Sequence, residues 1–372
     1  MPTHEEQTEG RPTVTVILPT YNEVENIGII VPAVHEALSN AGIAHEILVM
    51  DDDSPDGTYE RALEMGQKFP VRAVRRTQDR GLSASVVDGF RHARGEVAVV
   101  MDADLSHPPD VLPQLVAPIL RDEADIVVGS RNVPGGGADN WPWFRRFVSW
   151  GASLLARPLT PMTDPTSGFM AVRLDVVRNA PIDAIGWKIV LETVVKTGAR
   201  LAEIPIRFRD REHGESKLTT RQQLLYLRHL VRLYRYRFPF WTQLALFGAV
   251  GALGVLVDML VLVIGVEAFH LHPAVAVVFA FLAAATFNYL LNWRYTFRKP
   301  DRPHEAAYPA FVLVCIVGLS IRQVVFLILL PLSAARYWYL AVNLVGIVVG
   351  GLANFVLTRW VVFPQKKSAP KP

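Results

Sequence analysis

The sequence predicts a doubly wound α/β domain followed by an all-α domain of four membrane-spanning helices. Three observations carry this reading. From Thr13 to about Arg200, short β-rich runs alternate with longer helix-like stretches, the pattern of a sheet covered by helices. Near Pro239 the composition changes, and four apolar runs follow at about 241–265, 273–292, 308–331 and 338–358. Each reaches the roughly 20 residues that cross a bilayer as a helix. The chain of 372 residues is 51% hydrophobic, too apolar for a disordered polymer.

The elements follow in order. Residues 1–12 are polar and acidic, are expected to be disordered, and carry no signal-peptide pattern. The first domain is expected over 13–216. Val14–Pro19, His45–Met50, Val71–Arg75, Val97–Met101 and Ile126–Ser130 read as strands that run from apolar into polar residues. Asn26–Ala41 and Ser83–Arg94 read as helices between them. In such a sheet the ligand sits at the carboxyl ends of the strands. Two basic amphipathic stretches, about 141–159 and 217–238, mix Trp, Phe and Leu with Arg. That mixture suits helices lying in a membrane interface. The membrane domain is expected over 239–364, and a cytoplasmic tail over 365–372.

Charge sets orientation and excludes classes of function. The net charge is only +3, so a nucleic-acid partner held by bulk charge is excluded. The single cysteine, Cys315, lies inside a span and excludes a disulfide scaffold. Arg228, Arg232, Arg235 and Arg237 precede the first span, Arg294, Arg298, Lys299 and Arg302 join the second to the third, and Arg359, Lys366, Lys367 and Lys371 follow the fourth. The other two connections offer only Arg336. The positive-inside rule places the α/β domain and the C-terminus in the cytoplasm.

The membrane part reads as a duplication. The segment from Asn288 to Phe297 echoes that from Asn354 to Phe363, and sliding Phe247 onto Phe311 matches Gly254 with Gly318 and Asp258 with Arg322. Ionisable residues inside a span need a partner or a polar surround, so Asp258 and Arg322 are expected to pair. A homo-oligomer formed through this domain is also allowed.

The chemistry lies at the predicted strand ends. Asp102-Ala103-Asp104 is a D-x-D turn whose carboxylates, with Ser106 close by, suit Mg²⁺ or Mn²⁺. A nucleotide diphosphate would supply the remaining oxygens. Pro19-Thr-Tyr-Asn-Glu23 ends the first strand; Tyr21 offers a ring to stack on a base and Glu23 an acceptor for ring or ribose donors. Asn22, with Glu25 three residues on, also reads as a helix cap. In Asp51-Asp52-Asp53, adjacent carboxylates repel, so ligand hydrogen bonds or exposure in a turn must offset the crowding.

Taken together, VTVILPTYNE, ILVMDDDSPDGT, GLSASVVDGFRHARGE, VVMDADLSHPP, VVGSR, DPTSGF and EIPIRFRDREHGESK resemble the dolichol-phosphate mannosyltransferase branch of the family-2 glycosyltransferases, over about 13–220. The four-helix part resembles the GtrA-like membrane domain. The resemblance implies a GT-A-type nucleotide-sugar fold and metal-dependent, inverting transfer of mannose from GDP-mannose to dolichyl or polyprenyl phosphate. It implies that Pro19, Tyr21, Glu23, Asp51, Asp53, Asp102, Ala103 and Asp104 hold the nucleotide sugar, with Asp51 and Asp52 both open as the base contact. Asp102, Asp104 and Ser106 would hold the metal. Arg131, Arg145, Ser149, Arg211 and Lys217 would gather the acceptor phosphate, with Asp104, Arg131, Arg145 and Arg211 as the catalytic set. Arg suits that work through bidentate contacts to phosphate oxygens. The acceptor is already anionic, so no general base is required, and His213 need not act as one. The alternative donor is UDP-glucose or another UDP-hexose. A lipid-flipping role for the membrane domain competes with anchoring.

Overall fold

The computed structural model describes residues 11–138, 143–183, 188–208, 220–297, 303–332 and 338–364. The chain divides into two units, Met1–Arg237 and Phe238–Pro372. In the first unit the elements are β1 (Val14–Thr20), α1 (Val24–Asn40), β2 (His45–Asp51), α2 (Thr58–Met65), β3 (Val71–Arg75), α3 (Leu82–His92), β4 (Val97–Val100), α4 (Leu112–Leu120), β5 (Ile126–Ser130), β6 (Gly137–Ala138), α5 (Trp143–Ala156), β7 (Met170–Arg173), α6 (Leu174–Arg178), α7 (Ile189–Thr197), β8 (Leu201–Pro205), β9 (Arg207–Phe208) and α8 (Thr220–Arg237).

Strand residues alternate between two cores. Val14, Val16 and Leu18 of β1, Ile47 and Val49 of β2, and Val97 and Val99 of β4 pack with α1, α2 and α4. Ile17, Leu48, Met50, Ala98 and Val100 face the other way, onto α3, α6 and α7. Both faces are apolar because helices cover both, as a largely parallel sheet requires. Gly89 lets α3 approach closely: a Cβ there would meet Ile17 Cγ2 at 2.6 Å.

Among the described residues the main sheet has the order β3-β2-β1-β4-β7-β5-β8. β1 is parallel to β2 and β4, and Thr20 lies opposite Asp51. The winding reverses between β1 and β4, which opens a crevice at their carboxyl ends. One strand departs from the expected pattern. β7 is antiparallel to both β4 and β5, because the long excursion through α5 returns the chain from the opposite end.

The cap expected at Asn22 is not used. Glu23 is the cap residue of α1 without a side-chain cap bond, and Asn22 sits at φ 60°. The β2 turn supplies the acceptors instead: Asn22 N donates to Ser54 Oγ (3.0 Å), Glu23 N to Thr58 Oγ1 (2.9 Å) and Val24 N to Asp56 Oδ2 (3.1 Å).

The two amphipathic stretches form α5 and α8. On α5, Trp143, Phe144, Phe147 and Trp150 are exposed, Trp143 by 78%. α8 is two-faced. Tyr226, His229, Leu230 and Leu233 are buried, while Leu224, Leu227 and Val231 are exposed. Its inner face is pinned by Tyr226 Oη donating to Ala152 O (2.9 Å) and Tyr234 Oη to Leu155 O (2.7 Å). Arg232 donates to the buried Glu192 of α7, and Lys196 Nζ (2.8 Å) and His229 Nε2 (3.2 Å) lie against the same carboxylate.

The second unit holds α9 (Pro239–Val263), α10 (Pro273–Leu291), α11 (His304–Leu329) and α12 (Trp338–Leu357). With their terminal turns they form four helices long and apolar enough to cross a membrane: Pro239–Ala268, Pro273–Thr296, His304–Leu332 and Leu340–Val362. The two hairpins repeat one contact: the carboxamide of Asn288 fills the space a Cβ would take at Gly254, and that of Asn354 does so at Gly318. Each second helix ends in a π-turn closed alike, Phe297 N to Asn292 O and Phe363 N to Thr358 O, both 2.8 Å.

The expected Asp258–Arg322 pair is absent among the described residues. Arg322 Nη2 donates to Asn343 Oδ1 at 3.0 Å. Gly346 and Gly350 of α12 leave room for the Arg322 backbone and stem, so the guanidinium turns toward its own hairpin.

Candidate active site

Three loops meet where the winding reverses. The first follows β1. Pro19 is buried within the strand, Tyr21 is 50% exposed, and Glu23 Oε2 accepts from Asn26 Nδ2 at 2.6 Å.

The second follows β2 and disperses the charge of its three aspartates. Asp51 is fully buried; it accepts from Ser54 Oγ (2.6 Å), Ser54 N (2.9 Å) and Thr20 Oγ1 (3.2 Å). Asp52 is also buried; it accepts from Arg76 and from Gly81 N (2.7 Å) and Ser85 Oγ (2.9 Å). Asp53 remains partly exposed, at φ 58°, beside Arg80. Sequence reasoning missed Arg76 and Arg80 altogether.

The third follows β4. Ala103, Asp104 and Ser106 are buried, while Asp102 keeps 28% of its side chain exposed. Asp104 Oδ1 accepts from Ser106 N at 3.1 Å. The Ser106 hydroxyl is buried with no hydrogen-bond partner among the described residues, which costs about 1–3 kcal/mol unless a ligand satisfies it. Leu105 adopts φ 62°, a conformation that costs an aliphatic residue roughly 1–2 kcal/mol. Strain and an orphan hydroxyl thus coincide at one turn. Two carboxylates beside that hydroxyl form a hard oxygen donor set that fits Mg²⁺ or Mn²⁺. Among the described residues no cluster of three His, Cys, Asp or Glu could enclose a metal alone, so further oxygens must come from a ligand or water.

His107 braces this turn and was not foreseen. Its buried ring stacks on Phe169 with centroids 4.9 Å apart. Asp102 N donates to His107 Nδ1 at 3.1 Å, so the ring proton sits on Nε2. The signal in the sequence was the His placed directly after the D-x-D-x-S run.

The segment from Asp164 to Phe169 joins this turn to a cationic cluster. A Cβ at Gly168 would lie 3.6 Å from Asp102 Oδ2. Arg131 grips Asp164 with Nε and Nη2, both at 2.7 Å, and Nη2 also donates to Thr166 Oγ1 at 2.7 Å. Burial alone would raise the Asp164 pKa, but donation and charge from Arg131 hold it below the ordinary carboxylate range. Ser149 Oγ lies 3.5 Å from Thr166 Oγ1. Lys188, buried at the start of α7, donates to Thr166 O. Burial pushes its ammonium down to about 7, with nearby Arg131 acting in the same direction and Asp164 and Asp102 opposing.

The structure therefore brings Arg131 and Ser149 together, and adds Asp164, Thr166 and Lys188. The DPTSGF segment was the signal for the first two of these; nothing in the pattern marked Lys188. The side chain of Arg145, and Arg211, His213 and Lys217 entirely, lie outside the described residues.

Comparison with known proteins agrees with this architecture. Residues 15–180 match the glycosyl transferase family 2 model, and 246–363 match the GtrA/DPMS transmembrane domain. The chain is 38% identical over 356 residues to the dolichol-phosphate mannosyltransferase of Pyrococcus furiosus, covering 94% of this chain and 99% of that one. It is 39% identical over 218 residues to the undecaprenyl-phosphate mannosyltransferase of Micrococcus luteus, covering 55% and 87%. In fold it is similar to mannosyl-3-phosphoglycerate synthase from Rubrobacter xylanophilus, with a TM-score of 0.50 at 20% identity over 61% of this chain and 76% of that one. The chain thus belongs to the family-2 glycosyltransferases with a C-terminal GtrA-like transmembrane domain, and is related to the dolichol- and undecaprenyl-phosphate mannosyltransferases.

Proposed function

We propose that this membrane glycosyltransferase transfers mannose from GDP-mannose to a dolichyl or polyprenyl phosphate. One observation carries the reading: the Asp164–Phe169 segment touches the Asp102 turn on one side and Arg131, Ser149 and Lys188 on the other. An oxygen-donor turn for a diphosphate and a cationic cluster for a phosphate monoester are thereby adjacent. The end-to-end similarity to a dolichol-phosphate mannosyltransferase supports mannose as the sugar.

Tyr21, which is exposed, and Asp53, which is partly exposed, lie at the first two strand ends and would receive the nucleoside. Pro19, Asp51 and Glu23 would shape that pocket from behind. Asp102 and Asp104, with Ser106, would hold Mg²⁺ or Mn²⁺, which when bound neutralises charge on the leaving nucleoside diphosphate. Arg131, Ser149 and the Arg145, Arg211 and Lys217 side chains would orient the lipid phosphate. A phosphate oxygen of the acceptor attacks the sugar's anomeric carbon while the bond from that carbon to the diphosphate oxygen breaks. No proton moves, because the nucleophile is already an anion. Displacement from the opposite face inverts the anomeric carbon, giving a β-linked product from an α-linked donor.

The exposed apolar faces of α5 and α8 suit the membrane interface, where a prenyl chain would remain in lipid while its phosphate enters the site. The distribution of basic residues supports a cytoplasmic side for this unit.

The test is a donor screen with the full chain, Mg²⁺ or Mn²⁺, and a short polyprenyl phosphate. GDP-mannose turnover is expected, with a loss of roughly 10²- to 10³-fold in Asp104→Ala, measured on the folded fraction. Turnover with UDP-glucose instead would move the reading to the hexosyl branch. An active Asp104→Ala variant would remove the metal from this turn.

A further inference from the structure

Lys188 is an amine that no motif marks, and the reading above gives it a place in the cationic cluster but no contact to substrate. It is buried, and its Nζ donates to the carbonyl of Thr166. Taking an ammonium out of water costs several kcal/mol. A neutral donor would hold that carbonyl at far smaller cost, so a titratable amine at this position calls for a reason.

The neighbouring charges supply one. Arg131 and Asp164 form a bidentate pair, so together they carry no net charge. A phosphate monoester near neutral pH carries between one and two negative charges. The Arg131–Asp164 pair can orient such a group but cannot neutralise it. Lys188 shares Thr166 with that pair: Arg131 and Ser149 meet the Thr166 hydroxyl, while Lys188 meets its carbonyl. Lys188 and Arg131 also repel each other, and Asp102 attracts Lys188 from the metal-side turn. An arriving anion would relieve that repulsion, and the site is then better matched with ligand than without.

We propose that Lys188 binds the acceptor phosphate, contacting it beside Arg131 and adding positive charge next to the internally balanced Arg131–Asp164 pair. This rests on the reading that the acceptor is a phosphate monoester. It gives the site a specificity element: it favours a phosphate over a neutral hydroxyl acceptor.

The test compares the full chain with Lys188→Met and Lys188→Arg, using farnesyl phosphate as the probe. Three readouts are taken: the melting temperature with and without the probe, KM and kcat for the probe, and KM for the sugar donor. In Lys188→Met the probe's KM should rise roughly 10- to 100-fold, the range one charge-assisted hydrogen bond supplies. The probe's stabilisation should disappear, while the donor's KM and the ligand-free melting temperature hold or the latter rises. Lys188→Arg should recover part of the binding. Unchanged probe KM and stabilisation in Lys188→Met would overturn the proposal. So would a lower ligand-free melting temperature with equal losses for both substrates, the signature of a purely structural residue. If a different sugar donor proves correct, the probe-binding readout still decides the question. If farnesyl phosphate neither stabilises the wild type nor is consumed by it, the acceptor reading fails and this proposal falls with it.

Discussion

The acidic turns after β2 and β4 look alike in sequence and differ in what surrounds them. After β2, Asp51 is enclosed by Ser54 and Thr20, and Asp52 by Arg76, Ser85 and the Gly81 amide. Those carboxylates tie loops together. After β4, Asp102 and Asp104 lie on a turn whose Ser106 hydroxyl is buried with no partner among the described residues and whose Leu105 is held at φ 62°. A carboxylate cluster is therefore not informative alone. What separates a scaffold from a site is whether the chain supplies the matching donors itself or leaves a polar group unmatched at the same place.

The largest effect on stability is expected where the scaffold turn is broken. Asp52→Asn leaves the Arg76 guanidinium buried, with the partly exposed Asp88 as its remaining carboxylate. Removing one partner of a buried pair costs about 3–5 kcal/mol. The melting temperature should fall by roughly 6 °C or more, at about 2 °C or more per kcal/mol for a domain of this size. The activity of the folded fraction should be retained. An Asp52→Asn variant with a wild-type melting curve and no turnover would erase the contrast, because both turns would then be functional.

A smaller effect is expected from acid. Hydrogen bonds to Arg131 and to the groups around Glu192 hold the Asp164 and Glu192 carboxylates below their ordinary range, against the upward push of burial. Such groups bind fewer protons when folded than when unfolded. Their stabilisation is complete above the ordinary carboxylate pKa of about 4 and is lost as pH falls through the folded values. Urea melts from pH 7 to pH 3 should show stability declining steeply below about pH 4. Asp164→Asn should flatten that decline. An identical slope in the variant would mean that Asp164 is not the group responsible.

These contrasts also mark what the sequence made legible. Strand ends were readable because a continuous apolar run stops abruptly at a polar residue, as in Val97–Met101 before Asp102. The spans were readable from length and apolarity alone. The direction of β7 was not, because four residues of Met-Ala-Val-Arg look the same in either orientation. The roles of Arg76, Lys188 and His107 were hidden for a related reason: which cation reaches which carboxylate is decided by loop paths, not by spacing. Asp258 and Arg322 are instructive in another way. Their equivalence in the repeat suggested a pair, yet the repeat also gives each hairpin its own internal contacts. Arg322 accordingly bonds to Asn343 of the adjoining helix, and Gly254 and Gly318 each receive an Asn from their own hairpin.

The smallest stability effect is expected at Asp53, which shares features of both turns. It belongs to the β2 run but is partly exposed, and its partner Arg80 is exposed as well. Exposed ion pairs contribute about 0–1 kcal/mol. Asn also tolerates the left-handed backbone found here, φ 58°, as well as any residue but Gly. Asp53→Asn should therefore leave the melting temperature nearly unchanged. If Asp53 accepts from the nucleoside, the same substitution should raise the donor KM by roughly tenfold, since one hydrogen bond to a charged group is worth about 1.5–3 kcal/mol. The acceptor KM should stay constant. An unaltered donor KM would leave Asp53 as a solvated surface charge and confine the nucleoside contacts to the β1 turn. A donor effect without a stability effect would show that one acidic run holds both kinds of carboxylate, two enclosed by the scaffold and one turned to the ligand.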